Sequence, residues 1–230
     1  VLIAGSDTAL GTGPILLNAG TLSTSATRTL ANAVSLNANS TLAGTAPLTL
    51  TGTLTNNGAS RTLTINNTGG TTLTDIALSE SNTGRTLTLS TSTATTVTGN
   101  ITDGGSGAGS LTKAGTGALT FSGSTSSYTG QTWIQAGTLS VPTLANAGIA
   151  SSLGAPTGGN ATIKMGTSTT AAILTYTGDG ATTDRAIDLA GTTGGATINQ
   201  NGTVGALTFT SDFTASGNGA KTLTLSGTNT

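Results

Sequence analysis

From Pro47 onward the chain alternates Thr with Leu or Ile in short runs: LTLTGTLTNNG, RTLTINNTGG, TTLTDIALS, RTLTLS. A period of two is the strand period, so each run sends its apolar residues to one side and its Thr to the other. The predicted inward set is Leu48, Leu50, Leu54, Leu63, Ile65, Leu73, Leu87 and Leu89. The predicted outward set is Thr49, Thr51, Thr53, Thr55, Thr62, Thr64, Thr72, Thr74, Thr86 and Thr88. Gly, Asn and Pro punctuate the runs and mark corners; Asn56–Asn57 and Asn66–Asn67 suit left-handed corners or stacked amide ladders. No apolar run has helical period over helical length. The stretch before Pro47 follows the same logic less cleanly, with Leu10, Ile15–Leu17, Leu30, Val34, Leu36 and Leu42 spaced among turn residues.

Two spacings set the period. Arg61 to Arg85 and Leu87 to Leu111 are each 24 residues apart. A period in the low twenties equals one coil of a parallel β-helix, with two or three short strands per coil. The fold class expected is therefore all-β, a solenoid with coils of roughly 20–24 residues running as one continuous segment over 1–230. A longer self-similarity overlies it. DTALGTGP at 7–14 resembles SSLGAPTG at 151–158, and RTLANAV at 28–34 resembles RAIDLAG at 185–191. PLTLTG at 47–52 resembles ALTFTS at 206–211, and SRTLTINNT at 60–68 resembles AKTLTLSGT at 220–228. These matches suggest a unit of about 160 residues restarting near Ser151, and hence a fragment of a larger tandem-repeat protein.

The most specific stretch is 111–141, LTKAGTGALTFSGSTSSYTGQTWIQAGTLSV. It holds three of the six aromatic residues, Phe121, Tyr128 and Trp133. Leu111, Thr112, Lys113, Gly115, Gly117, Leu119, Ser122, Gly123, Tyr128, Thr129, Gly130, Thr132, Ala136, Gly137 and Leu139 resemble the passenger-associated strand repeat of bacterial autotransporter-type surface proteins. The resemblance covers about 31 residues. It implies a right-handed parallel β-helix in a long protein that is extracellular or held at the bacterial outer surface, and it implies no particular activity.

Composition narrows the function classes. Charged residues are 7% of the chain, net charge is −1, and there are 35 Gly with 55 Thr and 23 Ser. The seven basic residues are scattered from Arg28 to Lys221, so a basic patch for nucleic acid or anionic membrane is not expected. No apolar run approaches the roughly 20 residues that span a bilayer, so this segment is not expected to insert into a membrane. Cys and His are absent, which removes disulfides, thiolate or imidazole metal sites and His-dependent nucleophiles. No cofactor is expected.

The remaining candidates are weak as chemistry. Asp184 and Asp188 are the one close acid pair a glycosidase could use, but Asp184–Arg185 reads as a solvated corner. TDGGSGAG at 102–109 has one acid where a calcium nonapeptide coil repeats its acids, and reads as a flexible corner. Five Asn-x-Ser/Thr matches are what chance gives in so Thr-rich a chain. No catalytic or metal residues are assigned. Trp133, expected to point outward between Thr132 and Ile134, and its neighbour Tyr128 are the candidate contact residues. The reading is a structural or adhesive extracellular protein, a stalk, surface layer or filament, whose partner is itself through the solenoid ends or Thr-rich faces. A glycan or another cell surface is the further partner considered. The alternative is a glycan- or ice-binding module using Trp133 or the Thr-x-Thr faces.

Overall fold

The computed structural model describes residues 1–228. It is all-β apart from one short 3-10 turn at Gly158–Ala161, and its strands pair in parallel throughout. Two nine-stranded sheets and a shorter five-stranded sheet run side by side, and successive strands step from one to the next. One turn of the chain thus visits a first face (for example Arg61–Ile65), a second (Thr71–Leu73) and a third (Ile76–Ala77) before returning to the first at Thr86–Thr91. This is a β-solenoid of about nine coils.

The alternation has the predicted consequence. Every residue of the predicted inward set is buried, while the predicted outward Thr are exposed or half-buried. Inward residues stack into columns along the axis. On the first face Leu63, Leu89, Lys113, Ile134 and Met165 lie in register, and on the second Leu30, Leu50, Leu73, Val97 and Phe121 do. Each coil therefore buries its apolar side chains against the coils above and below, which lets one thin core run the length of the molecule. Thr71 and Thr95 are inward exceptions, buried at 3% and 1% exposure.

Coil length follows the corners. Leu87 pairs with Leu111, as the spacing of 24 predicts. Arg61 does not align with Arg85; it pairs with Leu87, because the corner at 79–85 is wider than its counterparts. Coils run from 20 residues, Leu22 to Leu42, to 35, Leu139 to Leu174. The longest contains an excursion over 142–162. It replaces a regular third-face strand and packs Leu144, Leu153 and Ala161 onto the core. Beyond it the third face resumes with Ala181–Thr183 paired to Leu207–Phe209.

The segments linked by the 160-residue self-comparison do not occupy matching places. Leu30 lies on the second face and its counterpart Ile187 on the first; Leu48–Leu50 lies on the second and Leu207–Phe209 on the third. The likeness of these segments is thus a likeness of strand pattern, and a tandem unit remains an expectation about a longer chain.

Left-handed corners fall to glycine rather than to Asn. Among the described residues only Ala19 and Ser168 adopt positive φ without being glycine. Asn instead supplies the ladder: the Asn57 amide donates to Asn37 Oδ1 at 2.7 Å and the Asn37 amide to Asn18 Oδ1 at 2.9 Å. Asn56 is not a corner residue; it ends a strand, is fully buried, and its amide donates to the Leu78 carbonyl of the next coil.

Gly115 meets two demands at once. Its φ is +73°, and a Cβ there would lie 2.3 Å from the Thr91 carbonyl oxygen of the preceding coil. Gly58 has a similar φ of +79°, but a Cβ would come no closer than 3.5 Å to the flexible Arg61 side chain. Gly115→Ala is expected to destabilise by about 1–3 kcal/mol more than Gly58→Ala, because only the former forces two coils apart. Urea unfolding of the two variants measures this, and equal losses would refute a role for coil-to-coil contact.

Candidate contact surface

Charged side chains are few, and most are committed to holding coils together. Asp75, Asp103 and Asp7 accept hydrogen bonds from the backbone N–H of Asn100, Thr129 and Thr29 in the following coil at 2.8–3.1 Å. Asp103 also accepts from Gly109 N at 2.7 Å, which makes TDGGSGAG a tied corner. The Asp184–Arg185 corner differs from expectation. Asp184 is exposed and accepts from Ala147 N, but Arg185 is buried at 1% exposure. Its Nε donates to Ala161 O and its Nη1 to Leu153 O, both at 2.8 Å, so it pins the 142–162 excursion to the core. A cation enters the interior here because loop carbonyls without strand partners need donors.

Asp188 does not face Asp184 as a pair of catalytic acids would. It is buried, and accepts from the Ser216 hydroxyl at 2.6 Å, Ser216 N at 2.9 Å and the Thr214 hydroxyl at 3.0 Å. Burial alone would raise its pKa, but the Ser216 and Thr214 hydrogen bonds outweigh it and hold the carboxyl below its usual 3.8. Among the described residues no group of three or more acids gathers to hold a metal ion.

Lys113 is the interior cation that sequence reasoning passed over. It sits in an inward position between Leu89 and Ile134 with no exposure. Its Nζ donates to the carbonyls of Ala114 and Gly115 at 2.8 Å and of Ala136 at 3.1 Å, tying two successive corners together. The signal was present: a Lys two residues after an inward Leu breaks the apolar alternation.

The two candidate contact residues separate. Tyr128 is fully buried under the excursion; its hydroxyl lies 2.6 Å from Thr132 Oγ1. It has no surface to offer a partner, because the third-face strand it belongs to is roofed by 151–155, with Ala155 N donating to Tyr128 O at 2.9 Å. Trp133 does point outward, half-buried, in the first-face column Thr62, Thr88, Thr112, Trp133, Lys164. Its indole N–H donates to Gly166 O at 2.9 Å, and the Lys164 ammonium lies 5.8 Å from its ring centroid. Both contacts fix the ring from the C-terminal side.

On the N-terminal side of Trp133 lies a groove of about 330 Å³. Its floor is Thr86, Thr88, Ser110 and Thr112, and Gln131, Trp133 and Gln135 form its wall. Register explains the shape. Thr112 sits directly beside Trp133 across the ladder, so a large ring rises next to a small hydroxyl residue. Gln131 and Gln135 flank the ring at two residues on either side, on the same outward side.

The second face carries the longest polar array. Thr49, Thr72, Thr96 and Thr120 form one column in register, and Thr51, Thr74, Thr98 and Ser122 follow two residues on. The hydroxyls of Thr51, Thr74 and Thr98 turn back onto carbonyls of the coil below at 3.3–3.4 Å, so this column reinforces the corner. An ice-binding reading gains nothing from hydroxyls spent in this way.

These features define a class: a parallel β-solenoid of short Thr-rich strands with a specific repeat set into its stack. Residues 111–141 match the passenger-associated-transport-repeat family. Over 129 residues the chain is 42% identical to the adhesin BmaC autotransporter of Brucella suis biovar 1 (strain 1330), an alignment covering 54% of this chain and 4% of that protein. The chain therefore spans a small part of that relative's length. No solved structure matches it.

Burial fixes a pH signature on this repeat. Desolvation brings the Lys113 ammonium from the usual 10.5 down to about 8. Between about 8 and 10 the folded state has released this proton while the unfolded chain still holds it, so stability rises with pH. Burial foremost pushes the Tyr128 phenol from 10.0 up to about 12, so above 10 the unfolded chain loses that proton first and stability falls. Urea midpoints are expected to climb from pH 8 to 10 and then drop. Lys113→Met is expected to remove the climb and keep the drop, and a flat wild-type profile would contradict the account.

Proposed function

We propose that this chain is a rod segment of the exported, adhesive passenger of a bacterial autotransporter, exposed outside the cell and acting without catalysis. The observation that carries the reading is the passenger-associated-transport repeat at 111–141, seated in register within an unbroken stack of coils. The likeness to an autotransporter named as an adhesin supports it. So does the use of the acids: Asp7, Asp75, Asp103 and Asp188 each hold backbone or hydroxyl groups of a neighbouring coil, which is a scaffold's use of charge. Length and stiffness come from the fold itself, since every added coil extends the ladder by about 4.8 Å. Placed in frame between a signal sequence and an outer-membrane translocator, the chain is expected to be cleaved by protease added to intact cells. It is also expected to raise their adherence above that of the empty carrier. Protection from protease, or adherence equal to the carrier's, would count against the proposal.

Self-association is read on the terminal coils. At one end Leu207, Phe209, Phe213, Leu223 and Leu225 line a cavity of about 240 Å³, with Leu225 at 71% exposure; at the other Leu2, Ile3 and Leu16 are more than half exposed. These are column residues awaiting a further coil, and open parallel edges accept strands. Sedimentation at rising concentration is expected to show association of the chain that Leu225→Lys weakens. A monomer at every concentration would exclude it.

A further inference from the structure

We infer that the groove beside Trp133 is a binding site for a neutral glycan. The inference deepens the adhesive reading by naming the class of ligand, and it rests on the groove alone.

Three properties of the groove converge. First, its polar lining carries no ionisable group: Thr86, Thr88, Ser110 and Thr112 offer hydroxyls, and Gln131 and Gln135 offer amides. Such groups donate and accept equally, which suits a ligand made of hydroxyls and gives nothing to a phosphate or carboxylate. Second, the one large apolar surface is an aromatic ring. Sugars present C–H groups on one face and hydroxyls on their edges, and a ring beside hydroxyl and amide side chains complements both. Third, the wall is set before any ligand arrives. The indole N–H is already bonded to Gly166 O and the ring is flanked by the Lys164 ammonium, so little freedom is left to lose on binding.

The sequence context gives the site its singularity. Elsewhere the first-face outward column holds Thr62, Thr88 and Thr112, residues too small to raise a wall. Trp133 is the one Trp of the chain, and it stands where three coils bring seven outward side chains together. The cavity of about 330 Å³ is within the range of small-molecule sites. The C-terminal end cavity is apolar and belongs to the stacking surface already described, and the buried amine of Lys113 is consumed by three carbonyls. Neither offers a comparable recognition surface.

The single Trp makes the test direct. The 230-residue chain is titrated with lactose, maltotetraose, cellotetraose and sialyllactose while Trp emission is followed, and screened on an array of neutral and sialylated oligosaccharides. Saturable quenching or a blue shift with at least one neutral oligosaccharide is expected. Trp133→Ala is expected to weaken array binding about ten-fold or more, Trp133→Phe to restore part of it, and Thr88→Arg to block binding by filling the floor while leaving Trp in place. Circular dichroism confirms that each variant keeps its strands. No neutral oligosaccharide binding above the Trp133→Ala background would overturn the inference, as would binding that survives both Trp133→Ala and Thr88→Arg. The adhesive reading fails separately. Displayed cells that adhere with Trp133→Ala as well as wild type leave the stalk standing without this site, whereas glycan binding by a chain that confers no adherence leaves the site without the stalk.

Discussion

Coil-to-coil register is the constraint on which the structure depends. Each strand pairs in parallel with the strand one coil before and one coil after, so every inward residue sits above and below another inward residue. A column such as Leu63, Leu89, Lys113, Ile134, Met165 exists because the register holds across coils of unequal length. A one-residue slip would turn the Leu column outward and the Thr column inward. Corners absorb the differences in length, and they do so with glycine, backbone-capping acids and Thr hydroxyls turned onto the coil below.

Polar interior groups are placed where that register is interrupted. The passenger-associated repeat and the excursion after it break the third face, and this is where Lys113, Tyr128 and Arg185 are buried. Lys113 and Arg185 answer carbonyls that no strand can reach, and Tyr128 fills the space of a missing strand with one bulky ring. A buried cation is costly unless its donors are satisfied, so each marks a specified corner rather than generic packing. The repeat thus works as a clamp within the stack, and its Trp133 neighbour uses the same rigidity on the outside.

The surface follows from the same geometry. Outward columns of Thr give a face with little charge and shallow relief, on which one large residue has a large effect. Trp133 turns a flat ladder into a groove because Thr112 lies beside it in register. Function of an adhesive kind needs no more than this: a stiff support and a local departure from its regularity.

The alternation of Leu with Thr was enough to fix strands, inward and outward sides, the coil period and the outward direction of Trp133, because all of these depend on period-two geometry alone. The repeat at 111–141 was legible from its own residues. What the sequence could not reveal depends on which coil lies next to which. Arg61 aligns with Leu87 and not with Arg85 because corner widths are set by packing. Left-handed corners go to glycine because a Cβ would strike the next coil. Arg185 is interior and Tyr128 is roofed because the 142–162 excursion folds over them. The groove exists only because Thr88, Thr112 and Trp133, from three separate coils, meet across the ladder. Local pattern decides the direction of a side chain, whereas its neighbours along the axis lie 20 to 35 residues away and are decided by the stack.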